Sequence, residues 1–258
     1  MTGGLFVLLS TSPLPSWIYG ILIASVGLMP LPDRRAQLTL SGRGLRRRKC
    51  GLVGLGLSGA LALGSEIITT STRIRPPSGD RLHLCVLGDS LSARETDPKL
   101  APWPALLIER GIEVTNLAQM GATERSARRQ AALIPPNATL VLLLIGGNDV
   151  LGTTAAPQFD EDLRQLLDDA KAPGRAIILL ELLLPPFCHA YGISQRRRAR
   201  EAGSVLLSKR VLARVFARAE NTVDGIHLSQ SGHRALADEV VEALTLTDAA
   251  MGQDAARD

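Results

Sequence analysis

The sequence predicts an α/β fold in which a parallel sheet is covered by helices on both faces, and three observations lead there. Short apolar runs alternate with helical patterns from residue 82 to residue 246. One of the runs, Thr139–Ile145, is almost entirely Val, Leu and Ile, the composition of a central parallel strand buried on both faces. The segment Phe159–Lys171 sets apolar side chains at 159, 163, 166, 167 and 170 among acids, the pattern of an amphipathic helix. Strands and helices in this alternation wind into one sheet through crossovers that cover both faces.

Taken in order, His83–Leu87 is a short buried strand ending at Gly88. Trp103–Arg110 reads as a helix, with Pro104 early and Gly111 as its stop. Ile112–Ala118 is the second strand and Thr139–Ile145 the third. After the Phe159–Lys171 helix, Ala176–Leu184 is the fourth strand, closed by Pro185-Pro186. Ser204–Ser208 is a short fifth strand, and Ala235–Leu246 a closing helix with a Val/Ala/Leu face. With aromatics at 3%, the core is built of Leu, Val, Ile and Ala.

Length and charge bound the organisation. A chain of 258 residues holds one sizeable domain and an appendage. The formal charge of +4 is unevenly placed, since residues 1–49 carry seven basic side chains against one acid. Residues 50–258 hold 22 basic and 24 acidic, so the domain is slightly acidic and a nucleic-acid partner is not expected. Residues 1–70 read as a signal or membrane-anchor region, 71–81 as a Pro/Gly/Ser linker, 82–247 as the domain and 248–258 as a tail. Two apolar stretches, 14–31 and 50–68, lie in the first segment, the second directly after Arg46-Arg47-Arg48-Lys49. A basic flank followed by an apolar run and small residues (Ala62, Gly64) is a secretory signature. A run of that length also approaches a membrane span, so membrane association through residues 50–68 is the competing expectation. Either way the basic flank keeps residues 32–49 cytoplasmic and places the domain outside the cytoplasmic membrane, in the cell envelope. Met29 is a possible alternative start.

Some patterns are decoys. Gly54-Leu55-Gly56-Leu57-Ser58-Gly59 fits G-x-G-x-x-G, yet it follows four basic residues rather than a strand, so no dinucleotide cofactor is expected. Cys50, Cys85 and Cys188 have no metal-ligand spacing, and Cys85 reads as a small buried hydrophobe. Adjacent side chains on an extended chain diverge, which argues against a Cys188-His189 dyad.

The chemistry lies in four segments: Gly88-Asp89-Ser90-Leu91, Asn116 through Gly121, Gly146-Gly147-Asn148-Asp149, and Asp224-Gly225-Ile226-His227. The first three fall at the carboxyl ends of successive strands, where ligands collect in parallel sheets. A serine hydroxyl is a weak nucleophile until a base takes its proton. His227 is the natural base for Ser90, and Asp224, three residues earlier, can orient its ring. The Ser90 and Gly121 backbone N–H groups and the Asn148 amide are candidate oxyanion donors, worth ~3–4 kcal/mol each. Blander roles fit some of the same residues: Ser90 suits a helix N-cap, and Asn148 and Asp149 suit a plain turn. His233 reads as a surface or packing residue, and the arginines at 196–198 and 200 as a solvated helix face, with lipid-phosphate contact as the sharper alternative.

These segments, Val86–Ala93, Asn116…Gly121, Gly147-Asn148-Asp149 and Asp224…His227, resemble the GDSL/SGNH hydrolase superfamily over about residues 82–246. Trp103-Pro104-Ala105-Leu106-Leu107 is similar to its periplasmic thioesterase/lysophospholipase branch. The resemblance implies a flavodoxin-like three-layer α/β/α sandwich with a parallel sheet of about five strands. It implies ester or thioester hydrolysis through an acyl-enzyme, without metal or cofactor, on small acyl esters, lipids or acylated glycans. It also implies catalytic Ser90, Asp224 and His227, with Ser90, Gly121 and Asn148 as the oxyanion hole. G-x-S-x-G is absent, Ser92 standing where its second glycine would be, which argues against the α/β-hydrolase elbow. Arg94, Leu228-Ser229 and the arginine-rich Gln195–Arg200 depart from the family pattern and bear on substrate. Carbohydrate O-deacetylation or acyl transfer on the same site, and a silent envelope binding protein, are the alternatives.

Overall fold

The computed structural model describes residues 82–94, 100–185 and 188–254, with side chains through Leu244, besides the isolated positions Ala24 and Val53. The expected signal, anchor and linker lie outside the described residues. By backbone proximity the chain divides into Met1–Thr69 with Leu184–His189, and Thr70–Leu183 with Ala190–Asp258; the sheet and the site below belong to the second unit.

That unit runs β1 (His83–Gly88), α1 (Trp103–Glu109), β2 (Glu113–Asn116), α2 (Glu124–Ala131), β3 (Leu140–Leu144), α3 (Gly147–Leu151), α4 (Ala156–Ala170), β4 (Ala176–Leu180), α5 (His189–Ala202), β5 (Val205–Leu207), α6 (Arg210–Phe216), a 3-10 turn (Ala219–Asn221) and α7 (Gln230–Asp254). The five strands are all parallel, in the order β2-β1-β3-β4-β5. This is the flavodoxin-like winding, in which the chain leaves β1 toward one edge and returns on its other side as β3. The expected class of fold is therefore the one observed.

Every residue of β1 and β3 is buried, as their apolar runs require. Along these strands side chains alternate between faces. Cys85, Leu87, Val141, Leu143, Ile145 and Leu179 meet Ala127 and Ala131 of α2 and Phe159, Leu163, Leu166, Leu167 and Ala170 of α4. Burial pushes the Cys85 thiol up to about 11, so it acts as a small apolar side chain. The alternate residues, Leu84, Val86, Leu142 and Ile178, face the other layer, where α7 packs on α1 and α6.

Three local expectations change. The fourth strand stops at Leu180 rather than running to Leu184, because β5 offers partners only from Val205 to Leu207. The closing helix starts at Gln230, five residues early, and continues through Asp254, past the expected domain limit at 247. The arginines of α5 form a solvated face only in part: Arg196 is largely covered and pairs with Glu181 at 2.6 Å, while Arg197 and Arg198 both hold Asp160 at 2.5 Å. Arg197, despite its pairing, and Arg200 stay exposed. Partners 15 and 38 residues away, on other elements, claim Arg196 and Arg198.

Candidate active site

Between β1 and β3, the pair at which the winding reverses, the carboxyl ends of the strands open the crevice where ligands bind in such sheets. Gly88 ends β1 opposite Leu144 of β3. On the other side β2 stops short, its last residue Asn116 pairing Val86. Leu117 and Gln119 still donate backbone N–H groups to Val86 O and Gly88 O (2.9 and 3.1 Å), but the Gly88 N–H has no strand beyond it. The fully buried Gln130 side chain from α2 fills that place: its Oε1 accepts from Gly88 N and its Nε2 donates to Gly88 O, both at 3.0 Å.

Fastened in this way, the chain turns at Asp89–Ala93. Ser92 N and Ala93 N both donate to Asp89 O, and the Asp89 side chain accepts from Leu91 N at 3.1 Å. Beneath the turn, Ser92 is buried, taking the Trp103 indole N–H on its hydroxyl (3.2 Å) and the Asn116 amide on its carbonyl (2.7 Å). Ser90 stands at the top, half-buried. No helix follows directly and its hydroxyl makes no hydrogen bond among the described residues, so it does not serve as an N-cap.

Gly121 is exposed with φ +69°, on the turn that leads to α2. Thr123 caps that helix in a reciprocal box with Ser126, whose backbone N–H reaches Thr123 Oγ1 at 3.3 Å. Across the rim the third segment begins with Gly146 at φ +107°, where an L side chain is strained and a Cβ would press on Phe159, Leu182 and Glu124. Asn148 and Asp149 are not plain turn residues. The Asn148 amide donates to Ala122 O at 2.9 Å. Asp149 is buried, accepting from Glu124 N (2.9 Å) on one oxygen and from Thr154 Oγ1 (3.0 Å) on the other. Gly121, Ala122 and Asn148 are therefore stitched into one edge.

Three carboxyls lie buried behind this edge. Burial pushes Asp89 up to about 6, helped by the charge of Asp149 and opposed by N–H groups of Leu91 and Gly147. Asp149 is raised for the same first reason. Glu124 lies well above the ordinary range, through complete burial and then the charges of Asp149, Asp162 and Asp160.

Asp224 and His227 form a self-contained unit. Asp224 Oδ1 accepts from the backbone N–H of Ile226 (2.9 Å) and His227 (2.7 Å), and Oδ2 meets His227 Nδ1 at 2.7 Å. The imidazole contact first, then those N–H groups, hold the Asp224 carboxyl below the usual carboxylate range. Both side chains are about half exposed. Val223 N donates to His227 O and Thr222 bridges Leu228, closing the loop at its base. Ser90, Gly121 and Asn148 share one rim and Asp224 holds His227, but among the described residues no hydrogen bond joins Ser90 Oγ to His227 Nε2. Catalytic hydrogen bonds are commonly long before substrate arrives. The rival imidazole, His233, is fully buried under Trp103, receiving its backbone N–H at 3.4 Å, with a pKa pushed down to about 4 by burial. Its role is packing.

Two residues of this site escaped the sequence reading. Glu124 and Gln130 occupy apolar positions of α2, in register with Ala127 and Ala131, and a polar residue at such a position is the signal that could have marked them.

The winding and its rim define a flavodoxin-like α/β domain with its ligand crevice at the β1/β3 switch point. The chain belongs to the GDSL-like Lipase/Acylhydrolase family, whose pattern matches residues 86–235. It is 37% identical over 138 residues to the thioesterase 1/protease 1/lysophospholipase L1 of Escherichia coli (strain K12), covering 52% of this chain and 62% of that one. It thus spans less than two thirds of the length of that relative. Among solved structures, a crystal structure of TesA superposes with a TM-score of 0.55 at 27% identity, covering 64% of this chain and 99% of TesA. The esterase EstA from Pseudoalteromonas sp., with TM-score 0.58 and 20% identity over 64% of this chain and 97% of that one, shares the fold.

Proposed function

We propose that this protein is a serine hydrolase of carboxylic esters or thioesters that works through an acyl-enzyme on Ser90. The observation that carries the proposal is the His227–Asp224 pair, an imidazole whose Nδ1 is held at 2.7 Å and whose Nε2 is left for a proton from a serine. Ser90 Oγ attacks the acyl carbonyl as His227 Nε2 takes its proton, and Asp224 stabilises the imidazolium through Nδ1–H. The oxyanion is met by the N–H groups of Ser90 and Gly121 and by the second amide hydrogen of Asn148, the first being spent on Ala122 O. His227 returns the proton to the departing alcohol or thiol. Water, deprotonated by the same base, then releases the acid and frees Ser90.

The names of the relatives support acyl esters and thioesters as the substrate class. Export of the domain, by a signal or an anchor in residues 50–68, accords with the basic flank before that run. We place the catalytic domain between residue 82 and the end of α7. The test is hydrolysis of p-nitrophenyl acetate, butyrate, octanoate and palmitate by the full chain and by Ser90→Ala, with fluorophosphonate labelling alongside. Loss of both in the variant is expected. A folded wild type that neither hydrolyses nor labels would overturn the proposal.

A further inference from the structure

One buried titratable group behind the rim has no part in the steps above. Glu124 is completely buried, and neither carboxyl oxygen has a hydrogen-bond partner among the described residues. It opens α2, where its own N–H is committed to Asp149 Oδ2. Its Oε1 lies 3.2 Å from where a Cβ on Gly146 would be, so the glycine backbone passes directly over the carboxyl. The enclosing segments are those that carry the candidate oxyanion donors: 121–124 on one side and 146–149 on the other, joined by Glu124 N to Asp149 and by the Asn148 amide to Ala122 O, each at 2.9 Å.

We infer that Glu124 is a positioning residue for the oxyanion edge: its uncharged carboxyl fills the space between residues 121–124 and 146–149, and its ionisation parts them and silences the enzyme. The inference rests on the assignment of Gly121 and Asn148 proposed above. The surrounding charges make ionisation costly. Asp149 faces Glu124 from α3, and Asp160 and Asp162 from α4. Two of those acids carry arginine partners of their own: Arg125 lies on Asp162 at 3.3 Å, and Arg197 and Arg198 lie on Asp160. The remaining neighbours of the Gly146 contact, Phe159 and Leu182, are apolar. Among the described residues, a carboxylate formed there has no donor and three carboxyl neighbours. It reaches water only by displacing the backbone that covers it.

The test is the pH dependence of kcat and KM of the full chain on p-nitrophenyl butyrate, spontaneous hydrolysis subtracted, for wild type, Glu124→Gln and Glu124→Ala. In wild type, kcat is expected to fall toward tenfold per pH unit on the alkaline side, with KM unchanged and far-ultraviolet circular dichroism constant. Normalised to its own maximum, each variant is expected to stay flat over that interval, whatever its absolute rate. The alanine variant serves if glutamine prevents folding. The same alkaline limb in both variants, or unfolding of wild type in step with the loss of kcat, overturns the inference. Fluorophosphonate labelling at pH 7.5 separates the two readings: an unlabelled Ser90 sinks the catalytic assignment and this inference with it. A labelled Ser90 with an unaltered limb sinks the role of Glu124 alone.

Discussion

Replacing Gln130 by Ala tests the idea that a side chain stands in for a missing stretch of β2. Two buried hydrogen bonds of 3.0 Å disappear, each worth about 0.5–1.5 kcal/mol net. The two backbone groups they serve fare differently. Gly88 O keeps its bond from Gln119 N at 3.1 Å, whereas Gly88 N is orphaned in the interior, at a cost of about 1–3 kcal/mol. The cost of the orphan already contains part of the bond lost, so the sum is about 2–4 kcal/mol. In a domain of this size each kcal/mol moves the melting temperature by about 2–4 °C, so a drop of roughly 6–12 °C is expected for the middle of that range. The assay is thermal unfolding of the full chain in mild detergent, followed by circular dichroism, with initial rates taken well below the transition. Because Gly88 is two residues from Ser90, kcat should fall more than KM rises, toward the ~100-fold that a misplacement of about 1 Å costs. Arg128→Ala is the control: its pair with Asp169 is exposed, so its melting temperature is expected to stay at that of wild type. A Gln130→Ala melting temperature within about 2 °C of wild type would refute the reasoning, since it would mean that Gly88 N finds another partner at no cost.

Asp224→Asn keeps the shape of the orienting residue but removes its charge and offers the imidazole an amide; kcat is expected to fall about 10³–10⁴-fold, and steady-state kinetics on a butyrate ester would expose a smaller effect. Asn148→Ala removes one oxyanion donor and should cost about 10²–10³-fold in kcat with KM little changed; an equal loss in KM would reassign Asn148 to ground-state binding. Glu124 also makes a stability prediction with a definite sign. Folded, it keeps a proton that the unfolded chain gives up above about pH 4.3, so its contribution is full below that pH and shrinks as pH rises. The melting temperature of Glu124→Gln minus that of wild type should therefore increase from pH 5 to pH 8, and a constant difference would contradict the assignment. Among the described residues, Arg196→Met leaves the buried Glu181 with the Lys209 N–H at 3.2 Å as its hydrogen bond, and should destabilise by about 3–5 kcal/mol in chemical denaturation.

What the sequence made legible was whatever local composition decides. The strand Leu140–Leu144 is apolar at every position, and a residue type that must be buried on both faces leaves no other reading. The four chemical segments are short and rich in Gly, Asp and Asn, so they stand out against such runs. Helix α2 did not, because Glu-Arg-Ser-Ala-Arg-Arg-Gln-Ala presents only two alanines on its inner face and fills the adjoining positions with a Glu and a Gln. The five-residue α3 is too short to show a period. Arg196 misled for a different reason: four arginines in six residues look solvated, and the partner Glu181 arrives from the end of β4 by the winding of the sheet. Pairings between elements are properties of the fold, and the hydrogen bond from Gln130 to Gly88, 42 residues apart, is of that kind.

The Asp224–His227 unit has a mechanical consequence. All three bonds that orient the imidazole close within four residues, so the ring keeps its orientation even if the loop moves as a body. Its footing is elsewhere: Ser229 N on Asn221 O, the buried Asn221 amide on Val215 O, and Gly232, where any Cβ would collide with Asn221 O. A change at that footing therefore acts as a lever on reach. It slides the whole Asp224–His227 pair toward or away from Ser90, altering the gap between them without disturbing the bonds that hold the ring.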